Sequence, residues 1–258
     1  MTHRTFLLVL FSGLLFSACD KKHTHEETGV PFTIAYKAVY DGDQLTKYKS
    51  YPYGPAAYPL QFSRFSTYLS DLELIKSDGS THRLAEIEWV EFTPDNASND
   101  LSAVPTITYP NVPEGEYTGL RIGFGVKPSL NAKVPANFPN NHPLARELEY
   151  WSGWDSYIFN KIEGQGDADN NGAFDHFLLY HCGSDAVYKV YDFDLPIHVH
   201  AGEPGLQVVF DLKKLFLLDD GSYYDIVTNH ATSNNPSDIS VALVLMNNFK
   251  KATNVSQE

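Results

Sequence analysis

Cysteine, methionine and basic side chains are what the 258-residue chain has least of. It holds 2 Cys, 2 Met and 19 Lys and Arg against 32 Asp and Glu, a formal net charge of −13. The cysteines are Cys19 and Cys182. Cys19 follows an export leader as the residue expected to be lipidated, so no internal disulfide is expected and the fold must stand on its core. The shortage of positive charge excludes nucleic-acid binding, which needs basic patches. It suits an exported protein or a cation binder. The one long apolar run, residues 6–16, is too short to span a bilayer as a stable helix. There is no Gly-x-Ser-x-Gly, HExxH, Cys-x-x-Cys or phosphate-cradling loop. That argues against an enzyme and leaves a carboxylate-based hydrolase as the catalytic alternative. Aromatics, by contrast, are plentiful, with 16 Tyr and 16 Phe for a large core.

The leader carries Arg4, the apolar run, and then Ser17-Ala18-Cys19-Asp20. Short apolar runs that close on small residues are secretory signals. Leu-Phe-Ser-Ala-Cys is similar to a bacterial lipobox, which implies cleavage before Cys19 and lipidation of its thiol. The expected division is a signal peptide over 1–18, a lipidated Cys19 with a flexible tether over 19–30, and one β-domain over 31–258. Residues 20–30 are too polar to order themselves. His23 and His25 there read as a solvated linker or a metal-collecting tail. The expected place is the bacterial cell envelope, at the outer membrane, held by a lipid anchor.

Phe32, Ile34, Tyr36, Ala38 and Tyr40 alternate with more polar partners, a period-two strand that ends at Asp41-Gly42. Residues 43–58, with Tyr48, Tyr51, Tyr53 and Tyr58, read as a tyrosine-rich loop, packed back on the domain or offering rings to a sugar. Asp78-Gly79 between two alternating runs predicts a hairpin of 65–76 with 82–90. Residues 93–103 are loop, 117–124 a strand, and 127–149 a long connection with a helical turn near 144–149. Residues 154–162 and 174–181 read as strands either side of an acidic loop. Further strands are expected at 188–193, 197–200 and 206–212, with a helical turn over 213–217. Pro236-Ser237-Asp238 starts the one clear helix, with Ile239, Ala242, Leu243, Met246 and Phe249 at helical spacing. The sum is an all-β fold, a β-sandwich or barrel, with long loops and one C-terminal helix.

Chemistry concentrates in residues 151–183. Asp167, Asp169, Asn171, Gly172 and Asp175 resemble the first three-quarters of an EF-hand loop, with oxygens at alternate positions and a glycine at the sharp turn. The twelfth position is Leu178 instead of a bidentate Glu. The same residues also make a plain hairpin turn. His176, His181, His198, His200 and His230 supply imidazoles, the usual ligands of copper and zinc. His198 and His200, two apart on a strand, share one face. Cys182 reads as core or as a soft ligand. Trp151 and Trp154, with Tyr150 and Tyr157, form an aromatic cluster. Glu163 stands ready to brace the acidic loop.

An ordered set of segments resembles the MbnP-like family, exported copper-associated partners of methanobactin systems. It comprises Phe65-Ser-Thr-Tyr-Leu-Ser-Asp-Leu-Glu-Leu, Val112-Pro-Glu-Gly-Glu-Tyr117 and Leu120-Arg-Ile-Gly-Phe-Gly-Val126. It continues with His142-Pro-Leu, Trp151-Ser-Gly-Trp-Asp-Ser-Tyr157-Ile-Phe-Asn-Lys-Ile-Glu163-Gly164 and Tyr180-His181-Cys-Gly183. The resemblance implies a β-rich extracytoplasmic domain that binds copper through histidines and an oxidised tryptophan. It also implies a partner di-haem enzyme of the MauG and cytochrome-c-peroxidase type. Carried over, His181 and His230 are the expected copper ligands and Trp151 the modified or neighbouring aromatic. The family's second tryptophan usually lies where this chain has Gly153, so Trp154 is displaced by one. The acidic loop is an addition, expected to hold a separate calcium through Asp167, Asp169, Asn171 and Asp175. The function implied is a non-enzymatic, lipid-anchored copper-binding protein. The alternative is a surface adhesion or glycan-binding module that uses the tyrosine loop and the tryptophans.

Overall fold

The computed structural model describes residues 29–93, 104–233, 235 and 237–257. The expected leader, Cys19 and most of the tether lie outside these residues, as do Pro236 and most of loop 93–103. The strands are β1 (Val30–Tyr40), β2 (Asp43–Gln44), β3 (Ser50–Tyr53), β4 (Tyr58–Ile75), β5 (Thr81–Glu91), β6 (Thr106–Val112), β7 (Gly115–Phe124), β8 (Tyr150–Trp151), β9 (Ser156–Gly166), β10 (His176–Gly183), β11 (Lys189–Val199), β12 (Leu206–Asp211) and β13 (Thr253–Gln257). The helices are α1 (Pro128–Asn131), α2 (Leu212–Leu215) and α3 (Ser240–Ala252).

Two sheets form, as the alternating sequence predicts. In the smaller one, β1 pairs in parallel with β12, which pairs with β13; the other edge of β1 takes β6 and β2. The larger one is organised by β4, which is long enough to serve two sets of partners. One edge of β4 pairs with β3 and then β5, the other with β9 and then β7. β10 and β11 pair with β9 and β7. Asp71, with φ +45°, sits at a register shift within the pairing of β4 with β7. Such a bulge bends a strand and sharpens its twist.

The core lies between the sheets. Phe210 on β12 meets Phe65 and Phe124 across the sandwich at 6.2 and 6.3 Å, and Phe92 at 5.5 Å. It also meets Phe249 on α3 at 6.2 Å. α3 buries Ala242, Leu245, Met246, Phe249 and Ala252, one face at helical spacing. Asn248 Nδ2 donates to the carbonyls of Leu215 and Leu217 and so ties α3 to the end of α2.

Several expectations need correcting. Residues 43–58 are not one loop: β2 and β3 form there, with Tyr51 and Tyr53 buried. Their rings pack into the core, Tyr51 against Tyr40 at 4.8 Å. Trp154 precedes β9 instead of opening it. The runs at 188–193 and 197–200 are one strand, β11, interrupted by a bulge. β6 and β13 were not expected. The C-terminal helix begins at Ser240 and hands over directly to β13.

Candidate functional site

The outer face of β9 and β10 carries Glu163 and His181. Along β10, Leu178, Tyr180 and Cys182 point into the core and Phe177, Leu179 and His181 point out. Burial pushes the Cys182 thiol well above its ordinary range. That suits a core residue and no soft ligand.

The 127–149 connection packs over the neighbouring part of this face. Tyr68 and Tyr157 donate their hydroxyls to the carbonyls of Pro143 and Leu144 at 3.0 and 2.9 Å. The connection closes on buried Glu149, which lies 3.1 Å from Arg64 and 2.9 Å from Lys161. Just beyond this ion cluster stand Glu163 and His181.

His181 Nε2 lies 2.7 Å from Glu163 Oε1. The hydrogen bond from His181 holds the Glu163 carboxyl below its ordinary value, outweighing burial, and the charges of Arg64 and Lys161 add to it. An ionised carboxylate only accepts, so Nε2 carries the proton and Nδ1 of the neutral ring keeps its lone pair. A carboxylate behind one imidazole nitrogen is how proteins orient a histidine that binds metal through the other. The backbone of His181 is fixed as well: its N–H donates to Thr232 Oγ1, which donates back to its carbonyl, both at 3.1 Å. Glu163 therefore braces His181, not the acidic loop.

Trp151 and Trp154 stack face to face, ring centroids 4.9 Å apart and 6° from parallel. Trp151 ends β8 and Trp154 sits in the turn that leads to β9, with Asp155 at φ +50°. A cavity of about 190 Å³ opens beside Trp154, lined also by Asn131, Asp155, Ser156, Ser184 and Asp185. Asn131 Oδ1 anchors its floor by accepting from the N–H of Tyr157 at 2.8 Å. Ser156 pairs with Trp151 across β8–β9, and Gly183 pairs with Ile158 across β9–β10. His181 is thus near the tryptophan end of the β9–β10 hairpin.

His230 is not. Its carbonyl accepts from the N–H of Leu179 at 2.8 Å, and its ring stands edge-on to His176 at 5.3 Å. Ala231 pairs with Leu179 and shares its outward face, which turns His230 to the other face, away from His181. His176 opens β10 and Gly183 ends it. At ~3.3 Å per residue those ends are roughly 23 Å apart. His181 and Trp151 lie towards one end and His176 opens the other, while His230 is bonded beside Leu179 and turned to the face opposite His181, so His181 and His230 do not share a face.

The acidic loop closes on itself. Buried Asp167 accepts the N–H groups of Asn171 and Gly172 at 2.9 and 2.8 Å. Asp169 accepts Asn171 Nδ2 at 2.9 Å, and Asn171 Oδ1 accepts the N–H of Ala173 at 2.7 Å. Its oxygens serve the turn. His198 and His200 share an exposed face, as expected, and both touch Glu116. Among the described residues, no group of three or more His, Cys, Asp and Glu is arranged to hold a metal ion. For copper the residues fit in part: one imidazole, His181, is braced with a free nitrogen, and its protein co-ligands are not gathered around it.

The family model described as MbnP matches residues 29–243. In the search of solved structures, the chain is similar to MbnP from Methylosinus trichosporium, with a TM-score of 0.54 and 16% identity over 82% of this chain and 86% of that one. At that identity the likeness concerns the fold. No curated protein sequence matches.

Proposed function

The chain belongs to the MbnP family, and from that premise we propose that it holds copper as cargo, without catalysis, at the His181 end of β10. The single observation that carries this reading is the Glu163–His181 pair, 2.7 Å apart. The carboxylate fixes the tautomer and raises the basicity of the free nitrogen, the recognised way to strengthen a histidine ligand. Trp151 is the aromatic proposed to lie at the copper or to be oxidised. Its support is its place at the same end of the hairpin and its stacking on Trp154. A di-haem enzyme of the MauG and cytochrome-c-peroxidase type is the proposed oxidant. Export and a lipid anchor at Cys19, at the outer membrane, complete the proposal. The experiment is a copper titration of the natural chain and of His181→Ala. Loss of copper from a folded variant supports the assignment, and unchanged stoichiometry refutes it.

One observation favours a second reading. Trp154 beside a cavity with Asp155, Asp185 and Asn131 offers an aromatic face and hydrogen-bonding groups, the elements of a glycan site. The tyrosine loop no longer supports that reading, because Tyr51 and Tyr53 are buried. Quenching of Trp154 fluorescence by sugars, absent in Trp154→Phe, would favour it.

A further inference from the structure

Independently of copper at His181, we propose that His176 and His230 form a second metal site, for an imidazole-seeking first-row ion of the zinc or copper kind. The two rings are 5.3 Å apart between centroids and 66° from parallel. Metal–nitrogen bonds of about 2.0 Å place a ring centroid roughly 3.2 Å from the ion, so two rings can share one below about 6.4 Å. This pair falls inside that limit.

One nitrogen is already assigned. His176 Nε2 lies 3.1 Å from the carbonyl of Ile226, which only accepts, so Nε2 carries hydrogen and Nδ1 has the lone pair. This is the outer-shell bond that orients a histidine ligand. The segment that carries His230 is pinned to the edge of β10. Tyr180 donates its hydroxyl to the carbonyl of Asn229 at 2.8 Å, and the N–H of Thr232 donates to the carbonyl of Leu179 at 3.1 Å. Pre-set backbones on both sides lower the ordering cost of binding. Asp225 adds negative charge nearby. Its carboxylate accepts the N–H groups of Val227 and Thr228, and hydrogen bonds from Thr228 hold its carboxyl below the ordinary value. His176 is half-buried and His230 is exposed, so an ion between them is reachable from solvent. Water completes the coordination.

The alternative is ring packing alone, and calorimetry separates the two. Zinc is titrated into the full chain carrying His181→Ala, which removes the proposed copper ligand and leaves this site. One bound equivalent is expected. Affinity should fall at least tenfold when His230→Ala or His176→Ala is added, with circular dichroism checking the fold. In the unmutated chain, zinc should also shift the ring-nitrogen resonances of His176 and His230. No zinc bound to His181→Ala overturns the proposal. So does zinc retained after loss of both rings, for instance on exposed His198 and His200, or ring nitrogens that do not move. Failure of copper at His181 leaves these outcomes unchanged.

Discussion

Exchanging Glu163 for Gln keeps the side chain's length and a carbonyl acceptor but removes the negative charge behind His181. The natural pair is 2.7 Å apart, with the side chains 27% and 25% exposed. At that exposure an ion pair contributes about 1 kcal/mol or less to stability, so the variant should fold and melt within a few degrees of the parent. Metal affinity should respond more. Loss of an outer-shell carboxylate costs roughly 10- to 100-fold, or about 1.4–2.8 kcal/mol. Glu163→Gln should sit at the low end, because its amide oxygen can still accept from Nε2, and Glu163→Ala at the high end. A competition titration against a chromophoric copper chelator, run beside thermal melts, reads both quantities. Equal copper affinity in the parent, Glu163→Gln and Glu163→Ala, with His181→Ala still losing copper, would refute the idea that the carboxylate prepares the imidazole.

Three further outcomes are expected. The depressed Glu163 carboxyl contributes stability that is present above its unfolded value of about 4.3 and is lost as pH falls through the lower folded value. Acid melts of Glu163→Gln should therefore lack part of the parent's loss of stability below about pH 4.3. Asp167→Ala, which strands two N–H groups, should cost about 1–3 kcal/mol in urea unfolding. A Cβ at Gly164 would meet the Gln61 carbonyl oxygen at 2.2 Å, so Gly164→Ala should cost roughly 1–3 kcal/mol by disturbing β4–β9; a neutral result would contradict that packing.

The parts of the fold legible in the sequence are those whose pattern is local. Phe32, Ile34, Tyr36, Ala38 and Tyr40 announce β1, and Asp78-Gly79 announces the β4–β5 hairpin. Proline hid others. Pro52 sits in β3, Pro110 in β6 and Pro196 in β11, where it falls at the bulge and made one strand read as two. β13 has the sequence TNVSQ, with a single apolar residue, and exists because β12 offers it an edge. The site was legible only in its residue types. His181 and Glu163 meet as diagonal neighbours, since His181 pairs with Lys161 and Leu179 with Glu163, and that register depends on the span of the acidic loop. Nothing local joins His176 to His230. Their meeting follows from the 225–232 segment returning to the edge of β10, a long-range tie that spacing does not reveal.

The most direct test of the account is metal analysis with peptide mass mapping on protein taken from its native envelope. Copper should be bound in the natural chain and absent from His181→Ala, with the mass shift of an oxidised tryptophan on the peptide that contains Trp151. A natural chain that carries no copper and an unmodified Trp151 would contradict it.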